Sequence, residues 1–172
     1  MVKLYRCEIC GDSYIGEEPP SRCPFCGAHQ KYIKEVNEAR VNFEVNLSEK
    51  DKANVEHALQ VEISNAAFYD CASSKTDDDE GKLLFKALKK VELEHATVWK
   101  KILKLDAMPT GNDQCHVANK ENLEDSHTRE TKAIEFYTKA AGEADDQRVK
   151  QIFQAFVEVE TDHLYLSEVR LK

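Results

Sequence analysis

The chain repeats itself with a period of 68 residues. Displaced by that amount, Glu62 falls on Glu130, Tyr69 on Tyr137, Glu92 on Glu160 and His95 on His163. The surroundings agree, EISNAAFY at 62–69 lying on ETKAIEFY at 130–137 and VELEH at 91–95 on VETDH at 159–163. Such repetition restricts a chain to architectures that pair or stack equivalent units. Apolar residues recur at helical spacing within both units, so two helix pairs built on one plan are expected.

The spacing predicts helices over 48–73, 78–106, 117–141 and 145–170, separated by SSKTDDDEG, AMPTGNDQ and AGEADD. Ser48 is the expected N-cap of the first, with Asp51 three residues on as a weaker relative of a capping box. TDDDE at 76–80 reads as an acidic start to the second helix, where negative charge suits the helix dipole.

Glu92 and His95 lie three residues apart, as do Glu160 and His163, so each pair projects from one helix face about one turn apart. A carboxylate and an imidazole so placed can address one divalent metal. A single E-x-x-H on a charged helix is weak evidence, but two in register, each preceded by a glutamate at the same distance, are far more specific. Glu92 sits among Leu88, Ala96 and Trp99, Glu160 among Phe156, Val157 and Leu164, and Glu62 among Ala58, Leu59, Ala66 and Tyr69. These apolar stripes turn the polar residues inward. Unpaired buried carboxylates are too costly to keep, and metal ions are the natural compensation. Four glutamates and two histidines form a hard, oxygen-rich set that suits two iron or manganese ions better than zinc alone. Glu92 and Glu160 are the expected bridges, each paired histidine capping one metal.

Ferritin-like di-iron bundles use one glutamate from each of two helices and a Glu-x-x-His from each of the other two. Residues 48–172 resemble the di-iron bundle of the rubrerythrin family, and YRCEICGDSYIGEEPPSRCPFCGAHQKYI resembles that family's rubredoxin-like module, placed at the amino end as in reverse rubrerythrins. The expected architecture is mainly α: a four-cysteine module over 1–36 and a ferritin-like four-helix bundle over 37–172. Rubrerythrins usually carry a further glutamate on the third helix. Within one turn of Glu130 this chain offers only Ser126, His127, Ala133 and Ile134. His127, three residues before Glu130, is expected to orient that glutamate by a hydrogen bond.

Cys7, Cys10, Cys23 and Cys26 form C-x-x-C-G and C-P-x-C-G, with twelve residues between Cys10 and Cys23. Tetrahedral thiolate ligation suits zinc or iron, and a zinc ribbon has the same spacing. The resemblance to rubredoxins and the need of a di-iron centre for an electron donor favour one iron. Cys71 and Cys115 have no C-x-x-C partner, and Cys71 reads as an ordinary helix residue. Tyr69 and Tyr137 lie two turns beyond Glu62 and Glu130, placed either as core aromatics or to hydrogen-bond a ligand carboxylate. Trp99 reads as packing, and His29, His57 and His116 as surface residues.

A net charge of −8 with 33% charged residues argues against a nucleic-acid surface. No apolar run approaches the ~20 residues of a membrane span, and the amino end lacks a secretory signal. Cysteines clustered as metal ligands agree with a reducing compartment, so a cytoplasmic location is expected. The resemblance implies a peroxidase that reduces hydrogen peroxide to water, with electrons from an NAD(P)H-dependent reductase relayed through the four-cysteine iron. The alternatives are a ferroxidase or iron-storage protein, and a non-enzymatic zinc ribbon on a metal-stabilised bundle. A link of only ~10 residues, reaching ~35 Å at most, further suggests that the module serves a neighbouring subunit in a homodimer or larger assembly.

Overall fold

The computed structural model describes residues 1–172. Three short strands, β1 (Lys3–Cys7), β2 (Ser13–Gly16) and β3 (Ile33–Glu35), precede four long helices, α1 (Glu49–Lys75), α2 (Asp79–Leu103), α3 (Asn119–Glu143) and α4 (Gln147–Leu171). The strands form an antiparallel sheet in the order β2-β1-β3. Between β2 and β3 the chain makes the second cysteine loop and a 3-10 turn at Gln30–Tyr32.

All four predicted helices are present, and local chemistry sets their ends. Ser48 caps α1 by accepting from the Asp51 amide at 3.1 Å. Asp51 itself is buried and does not complete a capping box. Its carboxylate accepts instead from the amides of Asp145 and Asp146, both at 3.1 Å, tying the start of α1 to the α3–α4 turn. Asp78 caps α2 and Asp146 caps α4. Helix α2 stops at Leu103, short of the expected 106, because Lys104 turns left-handed at φ 54° and its amide closes on the Lys100 and Lys101 carbonyls.

α1 packs along α2 and α3 along α4, with α1 also facing α3. α1 and α3 run antiparallel, since Tyr69 reaches Glu130 while Tyr137 reaches Glu62. Trp99, Phe153 and Phe156 fill the layer beside the carboxylates, with Trp99 4.6 Å from Phe153 and 5.3 Å from Phe156 between ring centroids. Each such ring contributes about 1.5–3 kcal/mol on burial, which fixes the helices that carry the polar residues.

The module is seated on the bundle of its own chain, not held free for a neighbour. Its buried residues belong to the same apolar cluster as Val149, Ile152 and Phe156. The connecting segment runs along the bundle instead of spanning open space: Phe43, Val45 and Leu47 pack on that cluster, and Arg148 donates to the Asn42 carbonyl at 2.9 Å.

The 104–118 connection is also held down, by a feature that the cysteine spacing did not reveal. Cys71 on α1 and Cys115 form a disulfide across 44 residues. Cys71 is therefore not the ordinary helix residue expected. A pairing between a helix and a long connection has no signature in sequence spacing, because it depends on where the connection returns.

Candidate metal centre

Glu62 and Glu130 project from α1 and α3, and the two E-x-x-H pairs from α2 and α4. All six side chains meet in the bundle interior, with five of them fully buried and His163 5% exposed. Donor atoms fall into two overlapping groups, Glu62, Glu92, His95 and Glu160, and Glu92, Glu130, Glu160 and His163, each within 4.8 Å of one another. Glu92 and Glu160 belong to both, the position expected of bridging carboxylates. The 68-residue repeat becomes a two-fold relation in space: His95 Nδ1 lies 3.1 Å from Glu160, and His163 Nδ1 lies 3.1 Å from Glu92. His95 to Glu62 is 3.5 Å and His163 to Glu130 is 4.0 Å.

The polar atoms themselves call for ions. Glu62 Oε2, both oxygens of Glu92, Glu130 Oε2, Glu160 Oε1 and His95 Nδ1 are buried without any hydrogen-bond partner. A protein keeps so many orphaned acceptors in one place only where a cation satisfies them. Without one the charges are frustrated. Burial, then the charges of Glu160 and the other carboxylates, pushes Glu92 well above the ordinary range, and burial with Glu160 does the same to Glu130. Burial also opposes charge on Glu160, but His163 and His95 outweigh it and hold this carboxyl low.

Tyr69 donates to Glu130, and Tyr137 donates to Glu62. The two readings of these tyrosines are thus both realised: each ring is core, and each hydroxyl holds a carboxylate. The partner is the glutamate of the opposite helix, not the one seven residues before it. Burial and the adjacent carboxylate raise both phenols well above their usual value, so they remain donors. His127 does not reach Glu130. Its side chain is 40% exposed and lies 3.6 Å from Glu168: three positions before Glu130 is about 60° round the helix from it, and the packing of α3 turns that flank outward.

The four cysteines of the module are buried and close-set, Cys7 to Cys26 at 3.7 Å and Cys10 to Cys23 at 3.8 Å between sulfurs. Gly11 and Gly27 follow the two C-x-x-C turns with φ of 89° and 74°, conformations that favour glycine. The thiols share protons unequally. Hydrogen bonding to Cys23 pushes Cys10 up, and acceptance from Cys10 pulls Cys23 down. Four sulfurs at this separation form a tetrahedral thiolate site.

The two donor sets touch. His95 Nε2 donates to the Cys26 carbonyl at 2.9 Å, which fixes the imidazole with Nδ1 turned to the carboxylates. Further contacts seat the module there. Lys101 donates to the Cys10 carbonyl at 2.9 Å, and Arg22 and His29 bind Asp162 at 2.6 and 3.0 Å. Arg148 donates to the Glu8 carbonyl from a largely buried position. His29 is thus an interface residue and not a free surface one. Reading by motif missed these residues, since Arg22 and Asp162 are 140 positions apart and share no spacing rule. Glu94 lies beside Cys10 and Asp12, and its carboxyl is pushed up to about 7, first by burial and then by Asp12.

A bundle with paired E-x-x-H helices and a four-cysteine module defines the ferritin-like metal proteins that carry their own redox module. The rubrerythrin family profile matches residues 53–168, and the profile described as the rubredoxin-like domain of rubrerythrin matches residues 5–34. The chain therefore belongs to the rubrerythrin family. It is similar to reverse rubrerythrin-1 of Clostridium acetobutylicum, at 40% identity over 37 residues, 22% of this chain and 20% of that protein. The match thus spans about a fifth of that relative's length. No solved structure matches. The residues fit one iron in the four-cysteine set and two irons in the bundle. No helix is long and apolar enough to cross a membrane.

Proposed function

We propose that the protein is a peroxidase that reduces hydrogen peroxide to water in defence against oxidative stress. The observation that carries this reading is the hydrogen bond from His95 to the Cys26 carbonyl. It joins an electron-accepting module to a two-metal cluster through one imidazole, an arrangement that iron storage does not need. Iron in the two donor sets would supply the one-electron chemistry, so that hydrogen peroxide, two electrons and two protons give two waters.

The protein's own residues do the rest. Cys7, Cys10, Cys23 and Cys26 hold the first iron. Glu62, Glu92, His95, Glu130, Glu160 and His163 hold the pair, Glu92 and Glu160 between the two positions. Tyr69 and Tyr137 keep Glu130 and Glu62 oriented. Electrons come from an external NAD(P)H-dependent reductase, residues 1–36 receiving them for the bundle of 37–172. The chain works as a homodimer or larger assembly, each bundle served by its own module.

The test is anaerobic stopped-flow mixing of the fully reduced protein with peroxide and, separately, with oxygen. Fast oxidation by peroxide and slow oxidation by oxygen is expected. The reverse order overturns the reading in favour of a ferroxidase, and stoichiometric zinc on the four cysteines of the native protein overturns it in favour of a binding module.

A further inference from the structure

A groove of about 560 Å³ runs between α1 and α3 on the face of the bundle away from the module. Its lining follows the repeat. Positions 57, 60, 61, 64 and 65 line it from α1, and their counterparts 68 residues on, 125, 128, 129, 132 and 133, line it from α3. A groove built from repeat-related positions lies on the two-fold axis that relates the halves. The same axis passes through the middle of the metal cluster, because the contacts of His95 with Glu160 and of His163 with Glu92 exchange under it. The groove is therefore aimed between the two metal positions.

The other end of the axis, between α2 and α4, is closed. The Cys26 carbonyl meets His95 there, Gly27 packs on Val159, and Arg22 and His29 bind Asp162. Access to the cluster along the axis is left to the α1–α3 side. At the floor of that groove the repeat is broken in a useful way. Asn65 and Ala133 are equivalent positions, each one turn beyond a cluster glutamate, yet one carries an amide and the other only a methyl. Asn65 is 4% exposed, and its Oδ1 accepts from Arg129 at 3.4 Å. That bond fixes the amide and leaves Nδ2 buried with no partner. Such an orphaned donor is destabilising unless something accepts from it.

We infer that the α1–α3 groove is the port by which hydrogen peroxide reaches the metal pair, with Asn65 Nδ2 the donor that receives it at the floor and Ala133 the gap that lets it pass. This rests on the peroxidase reading above. Peroxide suits the floor because its oxygens accept hydrogen bonds and it is small enough to pass a methyl. Electrons and oxidant then approach the cluster from opposite ends of one axis, which keeps the oxidant away from the thiolates.

The experiment uses azide, a small acceptor that binds oxidised iron, so that the port is read apart from turnover. Ala133→Leu fills the gap from α3, and Val61→Trp fills the groove from its part-exposed wall, keeping the test valid if the first variant folds poorly. In iron-loaded, oxidised protein each should retain two bundle irons and slow azide association by about tenfold or more. Asn65→Leu, which removes the donor at similar volume, should weaken azide binding, and Leu83→Trp on the exposed face of α2 should leave the rate unchanged. Unaltered azide association in both groove-filling variants, with the irons in place, overturns the port. Groove-dependent azide association in a protein whose reduced form peroxide fails to oxidise supports the port and overturns the peroxidase reading instead.

Discussion

Replacing Gly27 by alanine tests how tightly the module must sit for the two metal sites to act together. Gly27 has a φ of 74°, and a Cβ built there comes within 2.8 Å of Val159 Cγ1. The backbone conformation alone costs an alanine about 1–2 kcal/mol, and overpacking against a buried valine adds about 1–3 kcal/mol. Gly27 follows Cys26, so relief of the clash by moving the loop outward lengthens the 2.9 Å bond between Cys26 and His95. In the Val159→Ala background the two methyls are gone and the nearest remaining side-chain atom is the Cβ at 3.8 Å. There Gly27→Ala should cost only the backbone share, giving a coupling of about 1–3 kcal/mol between the two positions. Denaturant unfolding measures that coupling. Rapid-mixing spectroscopy, with the four-cysteine iron reduced first, measures how fast electrons leave it for the bundle. The variant should keep its four-cysteine absorption and pass electrons more slowly, and Val159→Ala should restore much of the rate. A Gly27→Ala protein with undiminished transfer would refute the argument that this contact joins the sites.

Other consequences follow from the same geometry. Cys10→Ser should abolish the red colour of the oxidised four-cysteine site while helical circular dichroism persists, since the bundle has its own core; loss of the helices would show that the module is needed to fold it. Tyr137→Phe should lower the stability of metal-free protein by about 1–3 kcal/mol and that of metal-loaded protein by less, because an ion also satisfies Glu62; equal losses by thermal denaturation would contradict this. Glu92 and Glu130 are raised by burial and neighbouring carboxylates, and His95 and His163 are raised because facing carboxylates, Glu62 and Glu160 foremost, outweigh burial. Groups with raised native values stabilise the fold fully below their unfolded values and lose that contribution as pH rises through the native ones. The Tm of chelated protein should therefore fall as pH rises above the ordinary carboxyl range, and a Tm that rises there would be incompatible with the buried cluster. Opening the Cys71–Cys115 disulfide releases a 44-residue loop, which chain entropy sets at about 4 kcal/mol, readable as a shift in denaturation midpoint on reduction with the metals retained. His127→Ala should change neither metal content nor stability by more than about 0.5 kcal/mol, because the ring points to solvent and Glu168.

The sequence by itself determined the helices, the repeat and which carboxylates and imidazoles cluster. Period and spacing are local properties, and a Glu and a His three residues apart lie within about 60° of each other around a helix whatever the fold around them. Because both halves carry the same pattern, the repeat also required a symmetric centre, and Glu62, Glu92, His95, Glu130, Glu160 and His163 do converge. Local spacing could not tell His127 from a ligand-facing residue, since three positions leave a rotation that only packing turns inward or outward. Nor could it show that Tyr69 serves Glu130 and Tyr137 serves Glu62, which depends on the antiparallel pairing of α1 and α3. The seat of the module, the Cys26–His95 bond, the Arg22–Asp162 pair and the Cys71–Cys115 bridge were decided by tertiary structure alone. Each joins residues from 44 to 140 positions apart, and such contacts are selected by how whole surfaces fit, which no short-range pattern encodes.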